Sequence, residues 1–231
     1  MVDVGRVVVV TGANRGIGRE VARQCAVRGD TVVLGSRDLA AGRLAAEEIG
    51  HGARAVALDV TDPGGLAAVA EDVEHTLGRV DVLVNNAAVH YDTGQDAVDV
   101  DLAVVREALE TNVLGAWQTT LALLPLLRRS AHPRIVMVSS EGGSLASMGG
   151  GTPAYSVSKA ALNALTRVLA GDLRRDGVLV NAVCPGWTAT DMGGPGGRPV
   201  AEGARSVLWA VDLLDGGPTG TFTRDGQPLR W

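Results

Sequence analysis

A doubly wound α/β fold, with about seven parallel strands flanked by helices on both faces, is the expectation for this sequence, and three observations carry it. Short β-branched apolar runs alternate with amphipathic stretches rich in Ala, Leu and Arg, the rhythm of repeated strand–helix units around a parallel sheet. Gly29, Gly50, Gly78 and Gly177 follow the helical stretches, where a helix commonly ends in left-handed backbone. No internal repeat or long linker interrupts the 231 residues, of which 46% are hydrophobic, so a single domain spanning 1–231 with one core is expected.

Taken in order, the apolar runs predict strands over Val7–Thr11, Thr31–Leu34, Ala53–Leu58, Val80–Val84, Arg134–Ser139, Val178–Val183 and Gly220–Phe222. Helices are predicted over Gly16–Arg28, Leu39–Ile49, Pro63–Leu77, Leu102–Arg128, Tyr155–Arg174 and Val200–Leu213. Asp62 before Pro63 marks a helix start, an N-cap acceptor followed by proline at the first helical position. Gly142–Gly151 and Gly193–Gly197 read as loops, either disordered or serving as a substrate lid. Right-handed crossovers place the loops after the strand C-termini along one edge, where ligands of such sheets bind.

Composition narrows the function classes. A net charge of −5, with arginines scattered along the chain, offers no footprint for nucleic acid. The N-terminus lacks the pattern of a signal peptide, and the apolar run Leu121–Leu127 is short and holds Pro125, so no membrane partner and a cytoplasmic location are expected. Cys25 and Cys184 form no metal-ligand pattern and read as buried small hydrophobes; His90 has no partner cluster, so no metal is expected. Of 21 basic side chains only Lys159 is a lysine. Its compact ammonium and shiftable pKa mark it for chemistry that arginine cannot do.

The first predicted strand runs into Thr11-Gly12-Ala13-Asn14-Arg15-Gly16-Ile17-Gly18 and then directly into a helix. Glycines at 12, 16 and 18 permit a tight turn and close backbone approach, while Asn14, Arg15 and Ile17 lie where helix N-terminal amides meet a diphosphate, so the segment reads as a dinucleotide site. At the second strand end, Leu34-Gly35-Ser36-Arg37-Asp38, the two guanidiniums of Arg37 and Arg15 can clamp a 2′-phosphate and Ser36 can add a hydroxyl. NADP(H) is therefore favoured over NAD(H), and Asp38, one place later, can cap the next helix. Asp59, followed by Val60, can accept from the adenine amino group, and Asn86-Ala87-Ala88 after the fourth strand lets the cofactor pass while amides tie down the loop.

Ser139-Ser140 follows the fifth strand, and Tyr155-Ser156-Val157-Ser158-Lys159 opens a helix. The i, i+4 spacing puts Tyr155 and Lys159 on one face, where an ammonium can lower a phenol pKa from about 10 toward working pH. TGxxxGxG, NNAA, Ser-Ser, YxxxK and Cys184-Pro185-Gly186, in this order, resemble the short-chain dehydrogenase/reductase family and its Rossmann fold. Ser140–Leu145 and the tail Gly217–Trp231 look like the carbonyl-reductase-like branch.

The resemblance implies an NADP(H)-dependent oxidoreductase acting on an aldehyde or ketone, or on the corresponding alcohol. It makes Tyr155 the proton donor, has Lys159 hold the nicotinamide ribose, has Ser140 bond the substrate oxygen and has Asn112 hold a water leading to Lys159. Pro185, Gly186 and Thr188 would cover the nicotinamide and diphosphate. Two departures stand out: Ala88 replaces the family's glycine, and the stretch from Ser140 to Tyr155 is slightly long. His90, Tyr91, Leu145, Met148, Trp187 and Met192 are the candidate substrate contacts and suggest an apolar small molecule. The alternatives are a non-catalytic NADP(H)-binding regulator and a lyase or epimerase on the same scaffold. A homo-oligomer paired through Leu102–Arg128 and Tyr155–Arg174 and a monomer are both open.

Overall fold

The computed structural model describes residues 5–89 and 91–231. Strand β1 (Val7–Thr11) leads to helix α1 (Gly16–Val27), β2 (Thr31–Ser36) to α2 (Leu39–Ile49), and β3 (Arg54–Ala57) to α3 (Pro63–Leu77). There follow β4 (Val82–Asn85), α4 (Leu102–Leu109), a π-helical turn (Glu110–Gly115), α5 (Ala116–Leu127), β5 (Arg134–Val138) and α6 (Pro153–Asp172). The chain finishes with β6 (Leu179–Val183), α7 (Val200–Val211), β7 (Phe222–Arg224) and β8 (Gln227–Pro228).

These strands form one sheet in the order β3-β2-β1-β4-β5-β6-β7-β8, parallel except for the β7–β8 pair. The order reverses between β1 and β4, and that reversal opens the crevice in which ligands of doubly wound sheets sit. Burial explains why the central strands read as continuous apolar runs. Val7 to Val10 are all at most 1% exposed, with Val9 in the layer shared with α3, α5 and α6, and Val8 and Val10 in the layer shared with α1, α2 and α7. Each valine removed from water on either face contributes about 1.5–3 kcal/mol. The single core expected from sequence is thus divided by the sheet into two layers.

Three departures from the sequence expectation have identifiable surroundings. An eighth strand exists because Asp225 and Gly226 both take positive φ, the two-residue hairpin turn that an Asp-Gly pair favours. The predicted seventh strand, Gly220–Phe222, is accordingly displaced toward Arg224. The long helix predicted over Leu102–Arg128 is interrupted at Glu110–Gly115, where a widened turn lays Gly115 against Val60; a Cβ there would meet the valine Cγ2 at 2.5 Å. Helix α6 starts at Pro153, not Tyr155, with Thr152 at the N-cap position, so Tyr155 belongs to the first turn. Asp62 and Pro63 behave as expected: the carboxylate accepts from Gly64 N–H at 3.0 Å.

Among the described residues no helix is long and apolar enough to cross a membrane. Both cysteines are free and buried.

Candidate active site

The loops that carry the sequence motifs meet at the C-terminal edge of β1, β4, β5 and β6. At the β1 end, the Thr11 hydroxyl accepts from the main-chain N–H groups of Asn86 (2.9 Å) and Ala87 (3.0 Å), and Asn86 Nδ2 donates to the carbonyls of Thr11 (2.9 Å) and Gly12 (3.1 Å). The β4 loop is thereby fastened to the glycine-rich turn. Packing leaves no room for a side chain at Gly18: a Cβ would lie 2.4 Å from Asn86 Nδ2 and 2.7 Å from Gly12 O. The Ile17 side chain packs against the α1 layer, so what it and Asn14 offer a ligand is the amide-rich start of α1.

At the β2 end, Ser36 is buried and donates to the Asp38 carbonyl at 2.7 Å, while the Asp38 carboxylate accepts from Ala41 N–H at 3.1 Å and caps α2. Arg37 stands exposed beside Asp59. Burial raises the Asp59 carboxyl, but the Thr61 N–H and hydroxyl, with Arg37, outweigh it and hold the group below the usual carboxylate range. Val60 turns its side chain into the core. Arg15 is exposed and paired with Asp191 at 2.9 Å, and Thr190 lies 3.5 Å from where a Gly16 Cβ would stand. Sequence reasoning missed Thr190 and Asp191, which the loop after β6 brings over the glycine-rich turn.

Between β5 and α6 the two serines separate. Ser139 turns inward, donating to Asn163 Oδ1 at 2.6 Å, whereas the Ser140 hydroxyl is in hydrogen-bond contact with the Tyr155 phenol. Gly143 lets this loop lie directly on α6; a Cβ would come within 2.6 Å of the Lys159 carbonyl carbon. Lys159 is 2% exposed and donates from Nζ to the Val138 carbonyl at 2.8 Å, with the Tyr155 ring centroid 5.5 Å away.

Burial pushes the Tyr155 phenol up to about 12 despite the Ser140 hydrogen bond, and burial pulls the Lys159 ammonium down to about 8. In both groups burial is the largest cause of the shift, because it disfavours the charged form. Asn112, in the π-helical turn, accepts from Val89 N–H at 2.8 Å and donates to the Val89 carbonyl (3.1 Å) and Ser158 Oγ (2.9 Å). Both ends of its amide are engaged in joining the β4 loop to α6.

The glycine-rich turn, the Ser140–Tyr155–Lys159 convergence and the sheet order agree with one family, and residues 6–198 match it: short chain dehydrogenase. The chain is a short-chain dehydrogenase/reductase. Its similarity to Short-chain dehydrogenase/reductase 1 of Saponaria officinalis is 34% identity over 289 residues, covering 94% of this chain and 93% of that protein. Oxidoreductase UcpA of Escherichia coli is 37% identical over 195 residues, covering 81% and 71%. Among solved structures, NADPH-bound carbonyl reductase from chicken fatty liver superposes with a TM-score of 0.88 at 29% identity, covering 98% of this chain and 99% of that one. The family is one of oxidoreductases acting on small molecules, and the fold of this member is carbonyl-reductase-like.

In this short-chain dehydrogenase/reductase one of the candidate substrate contacts, Tyr91, touches the buried pair, and the others lie on the loops after β5 and β6. Tyr91 sets its ring edge-on to Tyr155 at 5.0 Å. Leu145 is 76% and Trp187 64% exposed, Met192 is exposed, and Met148 is half-buried; His90 lies outside the described residues. The glycine-rich segment 193–197 is ordered within a small hairpin: Trp187 Nε1 donates to Gly193 O at 2.7 Å, and Thr190 pairs with Gly194. Thr188 is buried, its hydroxyl donating to the Gly186 carbonyl at 3.0 Å, while Pro185 O accepts from Arg198 Nε at 2.8 Å.

Proposed function

We propose that this enzyme reduces an aldehyde or ketone with NADPH, or oxidises the corresponding alcohol with NADP+, with Tyr155 as the general acid/base. The observation that carries the reading is the convergence of Ser140, Tyr155 and Lys159 beside a glycine-rich turn that has no room for a side chain at Gly18. The residues present suit a dinucleotide: the close approach at Gly12 and Gly18, the start of α1, and two exposed guanidiniums, Arg15 and Arg37, at the edge where a 2′-phosphate would lie. Support also comes from the NADPH named with the chicken carbonyl reductase. When bound, the cofactor supplies the hydride.

The chain's own groups supply position and a proton. Ser140 and Tyr155 hold the carbonyl oxygen, and the phenol, neutral across the physiological range, delivers its proton to that oxygen. Lys159 would hold the cofactor ribose, and Asp59 and Ser36 would line the adenosine side. Asn86, Ala87 and Ala88 would form the floor, and Pro185, Gly186 and Thr188 would cover the nicotinamide. Asn112 ties the β4 loop to α6 through its amide and would hold, through the remaining lone pair of its oxygen, a water leading to Lys159. The exposed rim of Tyr91, Leu145, Trp187 and Met192 favours an apolar substrate.

The test is NADPH oxidation, followed by cofactor absorbance, against a panel of aliphatic and aromatic carbonyls with wild type and Tyr155→Phe. Turnover by wild type that the variant loses while still binding NADPH is the expected result. Conversion without net NADPH change would move the reading to an epimerase or lyase, and binding without any turnover to a regulator.

A further inference from the structure

Three other helices with a capping carboxylate take it from the residue immediately before their first turn: Asp38 for α2, Asp62 for α3 and Asp101 for α4. Helix α6 does not. Thr152, in the N-cap position, makes no cap; its hydroxyl shares a 2.8 Å hydrogen bond with Ser156. The first-turn amides are met instead by Asp92, which comes from the loop after β4: Ala154 N–H donates to Oδ2 at 2.9 Å and Tyr155 N–H to Oδ1 at 3.1 Å, from residues 62 and 63 positions away.

The same loop makes two further attachments to this turn. The ring of Tyr91 stands edge-on to the Tyr155 ring, 5.0 Å between centroids at 88°, and Gly94 N–H donates to the Gly151 carbonyl at 2.8 Å. The main chain of Tyr155 is thus held by a carboxylate, its ring by an aromatic edge and its preceding loop by a backbone bond, all from four consecutive residues. A local cap would serve helix stability alone. A carboxylate brought from the β4 loop also sets where the start of α6 sits relative to the floor of the cofactor crevice, which the same loop builds through Asn86 and Ala87.

We propose that Asp92 is a positioning residue, clamping the Tyr155 turn of α6 to the β4 loop so that the phenol is held at the distance proton transfer requires. The inference rests on the reading of Tyr155 as proton donor. Displacement of a reacting group by about 1 Å can lower turnover by about a hundredfold. The carboxylate accepts two amides through two oxygens, so asparagine, with one acceptor oxygen, preserves half of the clamp.

The experiment measures kcat, the KM for NADPH and the NADPH Kd in Asp92→Ala and Asp92→Asn, using the carbonyl that wild type turns over fastest. Asp62→Ala, which removes a local cap whose carboxylate meets Gly64 N–H and not the Tyr155 turn, is the control for stability loss. The clamp predicts a kcat about 10- to 100-fold lower in Asp92→Ala, an intermediate value in Asp92→Asn, NADPH KM and Kd within about twofold of wild type, and wild-type kcat in Asp62→Ala. Should Asp92→Ala fail to fold, the asparagine variant alone decides the matter, since a kcat equal to wild type in it overturns the clamp. A wild-type kcat in Asp92→Ala, with faster amide exchange at Ala154 and Tyr155, reduces Asp92 to a cap and overturns the proposal. So does a loss of NADPH affinity in proportion to kcat. Tyr155→Phe separates the two readings. If it is inactive and Asp92→Ala is not, only the clamp falls; if it keeps turnover, the assignment of Tyr155 and the clamp fall together.

Discussion

The two sides of the crevice are built differently. Around the glycine-rich turn and the Ser140–Tyr155–Lys159 group, polar side chains are buried or half-buried and nearly every one is committed: Thr11 and Asn86 to each other's loops, Ser139 to Asn163, Lys159 to Val138, Asn112 to Val89 and Ser158. The rim of Leu145, Trp187 and Met192, by contrast, is apolar and exposed. A buried polar group left unpaired costs about 1–3 kcal/mol, so the chemical side tolerates little variation, whereas an exposed leucine or tryptophan can change with small effect on folding. On the proposed function, chemistry and cofactor fall where the wiring is dense and substrate choice where it is sparse.

Substitutions on the dense side should therefore act as switches and those on the rim as adjustments. The largest effect is expected from Tyr155→Phe, about a thousandfold loss of kcat with NADPH Kd unchanged, read by steady-state kinetics and cofactor fluorescence. Near-native turnover would erase the distinction between the two sides.

Next comes pH. The phenol stays protonated up to about 12, while the buried Lys159 ammonium titrates near 8, so carbonyl reduction should hold steady below pH 8 and decline as pH rises through it. Lys159→Arg, whose charge persists, should lower kcat/KM about a hundredfold because a broad fork replaces a compact ammonium, and should remove the decline near pH 8. A variant profile that keeps the wild-type limb assigns it to another group.

A smaller effect should follow Gly18→Ala, whose methyl would press on the Asn86 amide and the Gly12 carbonyl: NADPH Kd about tenfold weaker, with kcat for bound enzyme little changed. Arg37→Ala should raise the NADPH KM by about tenfold and leave the NADH KM within about twofold, because only the former carries the 2′-phosphate. Equal change with both cofactors would remove Arg37 from cofactor choice. Smallest of all, Trp187→Ala should shift the KM for a bulky aromatic ketone by about threefold to tenfold and leave that for a small aliphatic one in place. A collapse of kcat with both ketones would show that the rim is wired to the chemistry after all.

Much of this was legible in the sequence because the carriers are local. The strand–turn–helix around Gly12 to Gly18, the i, i+4 spacing of Tyr155 and Lys159, and the Asp62-Pro63 helix start each depend on residues within one or two turns of one another. Two local signals went unused. Pro153 stands at the first helical position as Pro63 does, and Asp225-Gly226 is a hairpin turn that yields β8. The interruption of the long helix was not legible, because its cause is the contact of Gly115 with Val60, two residues with no relation in sequence.

By itself, then, the sequence determined the doubly wound sheet, the place of the nucleotide turn and the identity of the lone lysine, since periodicity, turn chemistry and residue type are properties of short stretches. Tertiary structure alone decided that burial holds Tyr155 neutral and weakens the charge of Lys159, that the Asn112 amide joins the β4 loop to α6, and that Asp92 reaches the turn bearing Tyr155. Those outcomes depend on desolvation and on partners tens of residues away, and neither exists until the sheet and its two helical layers have closed around them.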